Sequence, residues 1–161
     1  VFLGKSLCYL GERAKAANKD LRVYGVDAWR GSPEFDGTVW FNDRPINDAP
    51  PGDVLAVCVD NIAARGLQDV VTLIVSDSAK AARVFGHSSV HAVFLDAAHD
   101  EQSVANDIAA WRPKVASGGF LAGHDYRPED GFPGVKAAVD AFFPGATVAR
   151  PGQSWWEVRK L

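Results

Sequence analysis

The sequence predicts an α/β protein whose mostly parallel sheet ends in an antiparallel hairpin. Three observations carry this. Helical and strand-like segments alternate with short connections between them, as βαβ units require. Val90–Asp96 (VHAVFLD) is apolar almost to its end, the pattern of a strand covered on both faces. Near the end of the chain, two strand-like stretches, Ala146–Arg150 and Ser154–Lys160, are separated only by Pro151, Gly152 and Gln153, a connection short enough for a hairpin.

The elements follow in order. Leu7, Leu10, Ala14 and Ala17 recur at spacings of three and four, which predicts a helix over Leu7–Asn18 with Ser6 as its cap. Leu21–Asp27 (LRVYGVD) reads as a strand ending in a carboxylate. Trp29–Gly52, rich in Gly, Pro, Asp and Asn, has neither period and reads as a long ordered loop, a candidate lid. Helical spacing resumes at Asp53–Arg65, stopped by Gly66, and a strand follows at Val70–Val75. A short helix at Ser78–Phe85, the strand Val90–Asp96, a helix at Glu101–Trp111, a strand at Gly118–Gly123 and a helix at Gly134–Phe143 complete the alternation. Trp155 and Trp156 alternate along the last strand, so one of them should fill the core.

The 161 residues suit one domain. With 47% hydrophobic and 23% charged residues the chain can bury a core, which excludes intrinsic disorder. A formal net charge of −3 offers no basic excess for phosphate backbones or anionic lipid, so neither nucleic acid nor a membrane is an expected partner. There is no apolar run of about 20 residues and no signal peptide, which predicts a cytoplasmic protein. Cys8 and Cys58 both fall in amphipathic helices and read as buried free thiols. Methionine is absent throughout, so something upstream of Val1 is expected to be missing.

In open α/β sheets ligands bind beyond the carboxyl ends of the strands. Those ends are polar here: Asp27-Ala28-Trp29, Ser76-Asp77-Ser78, Asp96-Ala97-Ala98-His99 and His124-Asp125-Tyr126. Each has a bland explanation alone, as a helix cap, a turn residue or a solvated acid, but their concentration at one edge predicts a binding cleft. His87 and His91 read as structural.

The segments VFLGKS, VYGVDAWRGSPE, VHAVFLDAAHDEQSVANDIAAWRPKVASGGFLAGHDY, GVKAAVDAFFPG and WWEVRK resemble the bacterial class I S-adenosylmethionine-dependent methyltransferases of the small-molecule O-methyltransferase type, similar to those acting on macrolide sugars. The resemblance spans nearly the whole chain, and D-x-x-H-D followed by a helix, GG, a strand and HDY is its most specific part. It implies a Rossmann-like three-layer sandwich and S-adenosylmethionine as cofactor. Gly4 and Ser6 match the end of the family's glycine-rich turn, Asp27 the acid that holds the ribose hydroxyls, and Trp29 a neighbour of the cofactor. Ser76, Asp77 and Ser78 match the turn that meets adenine, with Asp77 the acceptor for its amino group. Asp96 and Asp125 match acids that hold a divalent cation in metal-using relatives, here Mg²⁺; His124 stands where some relatives have a second acid. His99 is the candidate base.

The implied reaction is methyl transfer to a small-molecule hydroxyl. The alternative is a truncated, non-catalytic cofactor-binding module; a Rossmann dehydrogenase is disfavoured because no complete G-x-G-x-x-G is present. The family's first strand and its E-x-G would lie before Val1. Without that central strand the protein is expected to form a homo-oligomer or to be only marginally stable.

Overall fold

The computed structural model describes residues 1–31, 40–127, 132–144 and 155–159. It divides into two compact units, Val1–Asp77 and Ser78–Leu161.

The first unit opens with α1 (Lys5–Ala16). Its N-cap is Gly4, at φ 86°, a left-handed conformation that glycine adopts without a Cβ penalty. Ser6 therefore lies inside the helix rather than capping it, a correction to the sequence expectation. Leu7, Cys8, Gly11 and Ala14 form the buried stripe. Strand β1 (Val23–Asp27) pairs in parallel with β4 (Val71–Val75), with Asp27 opposite Val75. Between them the expected loop contains structure of its own: a small antiparallel hairpin, β2 (Trp40–Phe41) and β3 (Arg44–Pro45), followed by a 3₁₀ turn at Ile46–Asp48. Asn42 and Asp43, both at positive φ, make its two-residue turn, the backbone handedness that tight hairpins require.

Phe41, Ile46 and Ala49 from this region are buried with Leu7, Trp29, Val54, Cys58 and Leu67, so the segment contributes to the core of the unit. Its short strands carry no sustained alternation, which is why periodicity missed them. Helix α2 (Pro51–Ala64) begins on proline and ends where Gly66 donates to Ala63 O at 2.9 Å. Cys8 and Cys58 are free and buried, and burial pushes the Cys58 thiol up to about 11, away from reactive thiolate.

The second unit contains α3 (Ser78–Ala81), a 3₁₀ turn, β5 (Val90–Leu95), α4 (Glu101–Trp111), β6 (Val115–Gly123), α5 (Pro133–Phe142) and β7 (Trp156–Arg159). The sheet order is β5-β6-β7, with β5 parallel and β7 antiparallel to β6. The last strand is antiparallel to its neighbour β6; the expected hairpin partner, Ala146–Arg150, lies outside the described residues. β6 starts earlier than the expected Gly118, because Val115 already pairs with Val90. Nor is β5 covered on both faces: Val93 is buried whereas Phe94 is 53% exposed. Trp156 fills the core of this unit.

Helix α4 is capped by Asp100, whose carboxylate accepts the Ser103 N–H at 2.9 Å; the Ser103 hydroxyl first and this amide second hold the acid below the usual carboxylate range. No helix among the described residues is long and apolar enough to cross a membrane.

Candidate functional site

In the first unit β1 delivers Asp27 to its carboxyl end. Oδ1 accepts the Trp29 N–H at 2.7 Å, and Oδ2 accepts the Phe2 N–H at 3.0 Å while lying 3.1 Å from the Val1 amino nitrogen. Burial opposes ionisation of this acid, and the Phe2 and Trp29 amide donors favour it. A carboxylate offers about four acceptor directions, so these contacts leave capacity for a ligand. Trp29 is buried in a left-handed backbone conformation and its indole N–H donates to Phe2 O at 2.9 Å. Asp27 thus gathers the turn before α1 and the turn after β1 around one anion. Gly4 is buried within the first of these turns, and Ser6 is exposed on α1.

At the end of β4, the Ser76 hydroxyl donates to Asp77 O at 3.1 Å, and the Arg30 guanidinium lies 3.1 Å from the Asp77 carboxylate. Arg30 gives no signal in the sequence beyond following the Asp27-Ala28-Trp29 strand end.

In the second unit β5 and β6 run parallel, so their carboxyl ends emerge side by side and bring four of the sequence-predicted residues together. Asp96, His124 and Asp125 each offer a ligand atom, all lying within 4.8 Å of one another. Two carboxylates and one imidazole, partly exposed, form a donor set that fits a hard divalent cation with water completing its shell. Asp125 stands at φ 58° and faces two imidazoles: His124 Nδ1 at 2.9 Å from Oδ1 and His99 Nε2 at 3.0 Å from Oδ2. His124 is largely open to solvent, whereas His99 is 8% exposed with its ring stacked on Phe132, centroids 4.1 Å apart. A small cleft is lined by Asp96, His99, Asp107, His124, Val135 and Trp156.

Ser78 belongs to this unit and points elsewhere. Its hydroxyl receives the Trp111 indole N–H at 3.0 Å and bonds Asp107, so it serves packing between α3 and α4. Asp107, unremarked in the sequence, is 7% exposed, and burial raises its carboxyl above the ordinary value despite the Ser78 bond. The spacing Val104, Asp107, Ile108, Trp111 follows the apolar stripe of α4 and could have found it.

Residues 1–126 match a family model described as a methyltransferase domain. Among solved structures, the O-methyltransferase NovP superposes with a TM-score of 0.73 at 17% identity, covering 99% of this chain and 69% of its own. CalS11, a calicheamicin methyltransferase, gives 0.67 at 15% identity over 99% of this chain and 69% of its own. An O-methyltransferase from Bacillus cereus, solved in complex with SAH, gives 0.60 at 16% identity over 99% and 70%. At these identities the likeness establishes a Rossmann-like methyltransferase fold. No curated protein matches the chain.

Proposed function

The chain belongs to the methyltransferase-domain family that its residues 1–126 match, and we propose that it transfers a methyl group from S-adenosylmethionine to a hydroxyl of a small molecule. The observation that carries the choice of a hydroxyl acceptor is the gathering of Asp96, His99, His124 and Asp125 at the adjacent ends of β5 and β6. An alcohol is a poor nucleophile near neutral pH, and this cluster contains both a proton acceptor and a donor set for a divalent cation.

The first unit supplies cofactor contacts in this reading. Asp27 accepts the ribose hydroxyls, with Gly4 and Trp29 along the same turns and Ser6 in the first turn of α1. Asp77 accepts the adenine amino group, with Ser76 and Ser78 flanking it in sequence. When bound, S-adenosylmethionine supplies an electrophilic methyl group, and a Mg²⁺ ion lowers the pKa of a coordinated hydroxyl. Asp96, Asp125 and His124 would hold the ion. His99 is the base: Asp125 at 3.0 Å orients its ring, and Phe132 excludes water from one face. Fixing the acceptor oxygen in line with the methyl group supplies most of the acceleration in such a transfer.

The test is transfer of radiolabelled methyl from S-adenosylmethionine to a panel of sugar and polyketide-type alcohols. Label in an ether product supports the reading. Cofactor binding without transfer to any alcohol would favour a non-catalytic binding module.

A further inference from the structure

We propose that α5 is the positioning element of the His99–Asp125 pair, with Phe132 fixing the His99 ring and Asp140 acting on Asp125 through Tyr126. The functional meaning rests on the assignment of His99 and Asp125 above; the placement itself does not.

Asp125 sits at φ 58°, a left-handed conformation that non-glycine residues adopt uncommonly and that its surroundings must support. The next residue is tied down. Tyr126 donates its phenol to Asp140 Oδ1 at 2.6 Å, Lys136 donates to Asp140 Oδ2, and the Lys136 ammonium lies 5.1 Å from the centre of the Tyr126 ring. The lysine bond first, and the phenol second, hold the Asp140 carboxyl below its ordinary value, so it remains an acceptor at neutral pH. All three side chains stand on or against one helix face, since Lys136 and Asp140 are one turn apart on α5.

The other arm begins at the start of the same helix. Phe132, its N-cap residue, stacks on His99 with the ring planes 28° apart. Two residues on, a Cβ at Gly134 would lie 2.7 Å from His99 O and 2.6 Å from Glu101 N. Only glycine permits that approach, so the first turn of α5 sits directly on the backbone of His99–Glu101. One helix therefore grips the imidazole at its beginning and the turn carrying the carboxylate four to eight residues further along its face, which fixes the geometry of a contact between two different loops.

The experiment follows the ring nitrogens of His99 in ¹⁵N-histidine-labelled protein, assigned by H99Q and H124Q. In F132L and in D140N the His99 signals shift while the backbone amide spectrum stays folded, and F132Y keeps them at the wild-type position. Y126F shifts them as D140N does, and the Y126F/D140N double variant shifts them no further, because both act through one bond. In the methyl-transfer assay the same variants lower kcat more than they raise KM. His99 signals superimposable on wild type in folded F132L and D140N would overturn the proposal. Shifted signals in a protein that methylates no alcohol would leave the positioning intact and remove the proposed reaction instead.

Discussion

The Ser78 hydroxyl accepts the indole N–H of Trp111 at 3.0 Å, and the same oxygen bonds the carboxyl of Asp107. This joins the first residue of α3 to two buried positions of α4. A hydroxyl can accept from the indole and donate to a carboxylate at once, so the network is satisfied with Asp107 ionised. The carboxyl nonetheless loses its water, and burial outweighs the single bond.

The consequence is a pH-dependent stability. In the folded protein Asp107 holds its proton to a higher pH than in the unfolded chain, so between the two pKa values the native state binds more protons. Its contribution is fully present below the unfolded value of 3.8 and is lost as pH rises through the raised folded value. D107N keeps a neutral group beside Ser78, so its melting temperature should rise relative to wild type as melts move from pH 4 to pH 8. A constant difference across that range would show that Asp107 does not titrate as its burial implies.

How much of this was legible in the sequence depended on whether local pattern or tertiary proximity carried the signal. The α4 boundaries, Glu101–Trp111, followed from periodicity alone; strand alternation predicted that one of Trp155 and Trp156 fills the core, and the structure shows that Trp156 does. Asp96, His124 and Asp125 could be placed together because parallel strands bring their carboxyl ends to one edge. The hairpin at Trp40–Pro45 was not legible: two-residue strands are too short to show a period. Phe132 and Asp140 were invisible for another reason. Phe132 falls just ahead of the expected helix and Asp140 within it, and each gains its role only from what the packing of α5 puts opposite it.

Asp27 should matter twice. If Asp27 is the ribose acceptor proposed above, its replacement by Ala should weaken S-adenosylmethionine binding by about 1 to 3 kcal/mol, the usual range for losing a charged hydrogen-bond partner. It also organises the Phe2 and Trp29 amides, which favour its ionised form, so this stabilisation is present where the carboxylate is ionised and is lost as it takes up a proton in acid. D27N should therefore melt lower than wild type at pH 7 and converge with it in acid. Calorimetric titration of a folded D27A with unchanged affinity would remove this residue from the cofactor site.

The close contact at Gly134 predicts a backbone effect. A methyl group there meets main-chain atoms of His99 and Glu101, which cannot rotate aside as a side chain would. G134A should cost about 1 to 3 kcal/mol, the range for overpacking a filled interior. Denaturant titration reads this directly as a lowered midpoint with an unchanged slope. An unshifted midpoint would mean that α5 can lift from α4 at little cost.

The cation and the base should be separable by experiment. Asp96, His124 and Asp125 present oxygen-rich donors within 4.8 Å, whereas a structural zinc site would show more imidazole or thiolate; both cysteines are buried in the other unit. Chelator should therefore abolish most methyl transfer, Mg²⁺ should restore it, and D96N and D125N should each raise the Mg²⁺ concentration needed for half-maximal rate. H99A acts on a different quantity. It removes the proton acceptor while leaving Asp96, His124 and Asp125 in place, so kcat should fall by about 10²- to 10⁴-fold, the usual contribution of a general base. The Mg²⁺ dependence should persist in what remains. Because His99 also orients Asp125, H99A is best paired with H99Q, which retains a polar group near the carboxylate. Equal losses in both variants assign the defect to the missing base, while recovery in H99Q assigns it to the orientation of Asp125. Full turnover in chelator would defeat the cation assignment, and full turnover in H99A would defeat the base.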